Sequence, residues 1–107
     1  MQLSFLLTLD RIREDYGSPL YVTSGWRCPD YNDEISSTGR SGPHTTGRAA
    51  DIHVYGAEVS KLLPLLVKNG VTGIGLKQHG DHSSRFLHVD TLDALATRPR
   101  PWVWTYP

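Results

Sequence analysis

The stretch SGPHTTGRAADIHV, Ser41–Val54, passes from turn formers into an apolar run within a few positions. It decides the fold, because it marks where a long polar loop ends and a strand begins. AADIHVY, residues 49–55, reads as that strand. Gly47 and the small pair Ala49-Ala50 let the backbone approach it closely. The same stretch sets His44 on the loop side and Asp51 on the strand, which raises the question of chemistry.

Upstream, residues 26–48 hold Pro29, Asn32, Ser36, Ser37, Gly39, Gly42, Pro43 and Gly47. They predict a long loop, with a short helical turn near Tyr31–Ile35, and long ordered loops in small domains are often functional. PLYVTSG, residues 19–25, predicts a short strand. Before it, Phe5, Leu9, Ile12 and Tyr16 recur at helical spacing and Gly17 ends the helix.

Downstream, Val59, Leu62, Leu63 and Leu66 mark one face of a second helix, stopped at Asn69-Gly70. Pro64 places its start at about Ser60 or Lys61, so that the ring falls near the first turn. VTGIGL and RFLHVDTL predict two more strands joined by the polar loop KQHGDHSS. The tail RPRPWVWTYP predicts a closing strand or an aromatic lid, with Trp102, Trp104 and Tyr106 alternating. One clear crossover helix argues against a doubly wound sheet. The expected class is α+β: a small single domain spanning residues 1–107, with a mainly antiparallel sheet flanked by two helices.

The totals exclude several functions. At 107 residues the chain suits one core. Eleven basic and 11 acidic side chains give a formal net charge of zero, so no electrostatic grip on nucleic acid or anionic lipid is expected. Cys28 is the single cysteine, which rules out an internal disulfide and a cysteine-rich metal site. Nothing beside it argues for an activated thiolate. The N-terminal apolar run lacks a basic lead and a small-residue cleavage site, so no signal peptide is expected in this chain. No run is long enough to span a membrane.

His44, Asp51 and His88 are the candidate metal ligands. Imidazole nitrogen and carboxylate oxygen suit zinc, and three protein ligands leave a position open for catalysis. The plain alternative is a loop histidine, a turn-capping carboxylate and a hydrogen-bonded core histidine. His53 shares Asp51's face on a strand and is a reserve ligand, with a core or surface role as its alternative. His79 and His82 fall in the polar loop, where solvation is the default. Arg27 has surface pairing with Asp30 or Asp33 as its alternative.

HTTGRAADI, with FLHVD downstream and VTSGWRCPDYN upstream, resembles the zinc D-alanyl-D-alanine carboxypeptidase family, which includes dipeptidases and phage cell-wall endopeptidases. The resemblance runs from LDRIREDYGSPLYVTSGWR to RPRPWVWTY, and the hedgehog signalling domain shares the scaffold. It implies zinc bound by His44, Asp51 and His88, with Arg27 holding substrate or the developing oxyanion. It also implies a peptidoglycan peptide as substrate and a site of action at the bacterial cell wall; the oligomeric state is not readable from the sequence, with a monomer as the expectation. Two places depart from the family pattern: Gly42 stands where a serine is usual, with Ser41 one position further back. Phe86 and Arg85 occupy the places of the general base, and neither accepts a proton at neutral pH. Asp90 is then the candidate base: on a strand it shares His88's face, its Cα about 6.6 Å away. Its plainer duty is to hold His88's second nitrogen. His82 is the competing base, since imidazole suits proton transfer near neutral pH. The alternative to an enzyme is a zinc-bearing binding module, such as a phage tail or virion component, that has lost turnover.

Overall fold

The spacing of Phe5, Leu9 and Ile12 turns them onto one side of helix α1, Leu3–Tyr16, where all three are buried. Gly17 closes the helix in the left-handed conformation at φ 78°, and its N–H donates to the Arg13 carbonyl at 3.0 Å. These coordinates belong to a computed structural model, which describes residues 2–24 and 46–106. Residues 26–45 of the expected loop, with Arg27, Cys28, His44 and the turn expected near Tyr31–Ile35, lie outside the described residues.

The strands are β1 (Val22–Ser24), β2 (Ala49–His53), β3 (Gly73–Lys77), β4 (Phe86–Asp90) and β5 (Trp102–Thr105). They form one sheet in the order β1-β2-β4-β3-β5. The pairings β1–β2, β2–β4 and β4–β3 are antiparallel, and β3–β5 is parallel. The expected α+β class with a mainly antiparallel sheet is what the chain adopts. The parallel closing pair is an addition that local patterning does not reveal, because alternation does not say which neighbour a strand chooses.

Helix α2, Ala57–Lys68, begins three residues before the expected Ser60 and carries Pro64 in its interior. Proline removes one backbone donor and costs about 3 kcal/mol there. Full burial of Leu62 and Leu66 contributes about 1.5–3 kcal/mol each, enough to offset it. Glu58 in the first turn and Lys68 in the last suit the helix dipole. Where the helices meet, the Tyr16 hydroxyl donates to Glu58 at 2.5 Å.

The sheet separates two jobs by alternation. Ala50, Ile52, Ile74, Leu87 and Val89 join Phe5, Leu9, Ile12, Leu62 and Leu66 in the core beneath the helices. The intervening positions, Asp51, His53, Gly73, Gly75, Phe86, His88 and Asp90, fall on the opposite face. Trp104 belongs to that second face, opposite Gly75 in the register, so the tail forms the closing strand and sets this indole away from the helix-packed core. Among the described residues, no helix is long and apolar enough to cross a membrane.

Candidate functional site

The antiparallel register sets Asp51 of β2 directly opposite His88 of β4, and Gly75 of β3 opposite His88 on its other side. Gly75 has to be glycine. A Cβ there would come 2.6 Å from Trp104 Nε1 and 2.8 Å from Tyr106 Cε2, so its absence lets both rings lie across β3. The Trp104 ring then stands 5.2 Å from that of His88 and covers it. The His88 side chain is 3% exposed as a result.

Its two nitrogens have different surroundings. Nε2 lies 2.7 Å from Asp90 Oδ2, and Nδ1 lies 3.3 Å from Asp51 Oδ1. Asp90 is fully buried. The Arg100 guanidinium grips its carboxylate in a two-pronged pair, Nε to Oδ1 at 2.9 Å and Nη2 to Oδ2 at 2.7 Å. The Leu92 N–H donates to Oδ1 at 3.3 Å. Gly73 makes room for this pair, since a Cβ there would run into the carboxylate and sit 2.5 Å from Arg100 Nε. Trp104 lies 5.1 Å beneath the guanidinium, adding a cation–π contact.

Burial acts on Asp90 most strongly and would raise its pKa. The hydrogen bonds and charges of His88 and Arg100 outweigh it and hold the carboxyl well below its ordinary range. Burial likewise would lower the pKa of His88, but Asp51 and Asp90 together raise it.

An ionised Asp90 only accepts, so His88 Nε2 carries the proton that is donated to it. Nδ1 of the neutral ring is then a lone pair facing a second carboxylate, Asp51. Two acceptors turned toward each other need a positive charge between them: a second proton or a cation. The spacing fits a metal. Ligand atoms about 2.0–2.1 Å from a tetrahedral zinc stand about 3.3–3.4 Å apart, whereas a charge-assisted hydrogen bond closes to about 2.7–2.9 Å. Nδ1 and Oδ1 are 3.3 Å apart. The donor set of a nitrogen and an oxygen suits zinc. Among the described residues no group of three such donors occurs, and the expected third ligand, His44, lies outside them.

The other candidates are placed as follows. His82 opens a short 3-10 turn, His82–Ser84, and its exposed ring stacks on Tyr55 at 4.5 Å and 12°. That contact directs it along the exit of β2. His79 is exposed in the same loop. Arg85 donates from Nε to the Gly80 carbonyl at 3.1 Å, and Phe86 packs 5.3 Å from Tyr106. Sequence reasoning missed Arg100, Gly73 and Gly75. The glycine alternation in VTGIGL was the available signal, since glycine within a strand often marks a close approach by other groups.

Over 77 residues the chain is 30% identical to the peptidoglycan L,D-endopeptidase MepK of Escherichia coli strain K12, covering 68% of this chain and 40% of that protein. Its counterparts in Escherichia coli O157:H7 and in Shigella flexneri match to the same extent. The chain thus spans about two fifths of the length of these relatives. No solved structure matches at a significant level. The Peptidase M15 family matches residues 2–90, which takes in Asp51, His88 and Asp90. A match over so much of the chain settles the assignment: this chain belongs to the Peptidase M15 family, a family of peptide-bond hydrolases.

Proposed function

We propose that this domain is a zinc-dependent peptidase that hydrolyses peptide bonds of bacterial peptidoglycan at the cell wall. His44, Asp51 and His88 are its metal ligands. The observation that carries the reading is the pair of acceptors, His88 Nδ1 and Asp51 Oδ1, 3.3 Å apart, with Nε2 tied to Asp90. The name of the relatives supports the substrate class.

Bound zinc supplies Lewis-acid polarisation of the scissile carbonyl and lowers the pKa of water toward neutrality. The chain's own residues do the rest. Arg100 holds Asp90, Asp90 holds the Nε2–H of His88, and the ring is thereby fixed with Nδ1 toward Asp51. With both oxygens engaged, Asp90 serves as a positioning residue in this scheme. The remaining candidate for the proton acceptor is then His82, whose ring lies against Tyr55. Arg27 stabilises the negative oxygen that develops in hydrolysis.

The test is mass spectrometry of muropeptides before and after incubation with the zinc-loaded protein. New peptide fragments are expected, and their masses separate endopeptidase from carboxypeptidase cleavage. Metal analysis should find about one zinc per chain, as in a mononuclear catalytic site. Full zinc occupancy in the Ala variants of His44, Asp51 and His88 would sink the ligand assignment. A second reading, a zinc-bearing binding module without turnover, is favoured by Arg85 and Phe86 in the places of the base and by the commitment of Asp90 to Arg100. Absence of new fragments from any wall peptide would decide for it.

A further inference from the structure

His53 stands one strand step beyond Asp51 on the same face of β2. Its cross-strand neighbour on β4 is Phe86, and on the other side its N–H donates to the Tyr21 carbonyl at 2.7 Å. Tyr55 lies 5.8 Å away, ring to ring, and is itself stacked on His82. Among the described residues the imidazole is thus flanked by aromatic side chains. Among the described residues its Nε2 is buried and has no hydrogen-bond partner. Such an atom is uncommon in a folded protein, since buried polar groups are nearly always paired.

His53 also lines a groove of about 730 Å³ that includes Tyr16, Leu20, Tyr21, Tyr55 and Leu62. The groove opens between the α1–β1 connection and the β2–α2 connection and reaches Thr23, whose hydroxyl meets the Asp51 carbonyl at 3.5 Å. Three tyrosines give it an apolar surface with polar tips, the mixture that suits a peptide. An extended peptide advances about 3.3 Å per residue, the same pitch as the strand beneath it. A substrate whose scissile carbonyl lies at Asp51 and His88 therefore brings a main-chain polar group to His53 about two residues along.

We propose that His53 is a substrate-binding residue: its Nε2 hydrogen-bonds the main chain of the bound peptide two residues from the scissile bond, and the tyrosine groove holds that arm. This rests on the reading of Asp51 and His88 as the metal ligands of a peptidase. It assigns His53 to the peptide and not to the metal.

The experiment uses the zinc-loaded protein and a synthetic peptidoglycan stem peptide. In His53→Phe, zinc content is expected to stay at the wild-type level. KM should rise about tenfold with kcat little changed, the signature of a lost binding contact. His53→Gln keeps a donor and an acceptor and should recover most of that loss. In protein labelled with 15N in its imidazoles, the peptide should shift the His53 Nε2 resonance. Unchanged KM in His53→Phe overturns the proposal, as does loss of zinc, which would make His53 a ligand. Binding of the peptide without a His53 shift overturns it too. Cleavage with a silent His53 removes this inference alone. A wild-type protein that neither binds nor cleaves the peptide removes the peptidase reading with it.

Discussion

Replacing Arg100 by methionine tests whether the site is built on a buried ion pair. Arg100 is 6% exposed at its side chain and Asp90 is 0% exposed. Methionine keeps most of the stem's volume and its packing on Trp104, but among the described residues leaves the Asp90 carboxylate with only His88 and the Leu92 N–H. Removing one partner of a buried pair costs about 3–5 kcal/mol. At about 4 °C per kcal/mol for a domain near this size, the melting temperature should fall by about 12–20 °C. Circular dichroism of the metal-free protein reads this directly. Asp90→Asn should cost a comparable amount, because it strands the guanidinium. The double variant Asp90→Asn/Arg100→Met buries no charge, so its loss should be smaller than the sum of the singles by about 2 kcal/mol or more. Zinc affinity should fall about 10–100-fold in Arg100→Met, measured by chelator competition well below its melting temperature. A loss below about 1 kcal/mol, the value of an exposed pair, would refute the reasoning, as would strict additivity in the cycle.

Gly75→Ala should destabilise by about 1–3 kcal/mol in urea unfolding, because its Cβ must displace Trp104 or Tyr106. An unchanged midpoint would mean that the rings do not rest on β3. Arg27→Lys should lower turnover with zinc retained, since lysine keeps the charge and loses the planar fork. Equal kinetics would leave Arg27 outside the reaction. Burial, with the bond and charge of Glu58, pushes the Tyr16 phenol up to about 12. A raised folded-state pKa means that its contribution is whole below about pH 10, the unfolded value, and is lost as pH climbs through about 12. Absorbance at 295 nm should show one of the five tyrosines titrating late, with Glu58→Gln bringing it earlier. Tyrosines that all titrate together would contradict the inter-helix bond.

The helix faces and the strands were legible because burial imprints a period on them: Phe5, Leu9 and Ile12 at helical spacing, Ile52, Leu87 and Val89 in the strands. Asp51 and His88 were legible as residues through the family resemblance. The resemblance implied that they meet, but not how: the direct opposition comes from the β2–β4 register, which is settled by the whole core. Arg100 was hidden for the same reason. It is ten residues from Asp90 in sequence, and only the parallel docking of β5 on β3 brings its guanidinium across. The start of α2 was misplaced because a local rule about Pro64 was outweighed by the burial of Leu62 and Leu66.

The two-faced sheet gives its strands something like a reading frame. A slip of one residue between β2 and β4 would turn one of the two strands over, carrying either Asp51 into the helix-packed layer and Ile52 out of it or His88 in and Val89 out, which the core would not tolerate. A slip of two would restore the greasy layer but set His88 against Ala49 or His53 instead of Asp51. Only one alignment satisfies both layers. The oily side thereby proofreads the chemical side, so a chain that has folded its core correctly has already brought carboxylate and imidazole face to face.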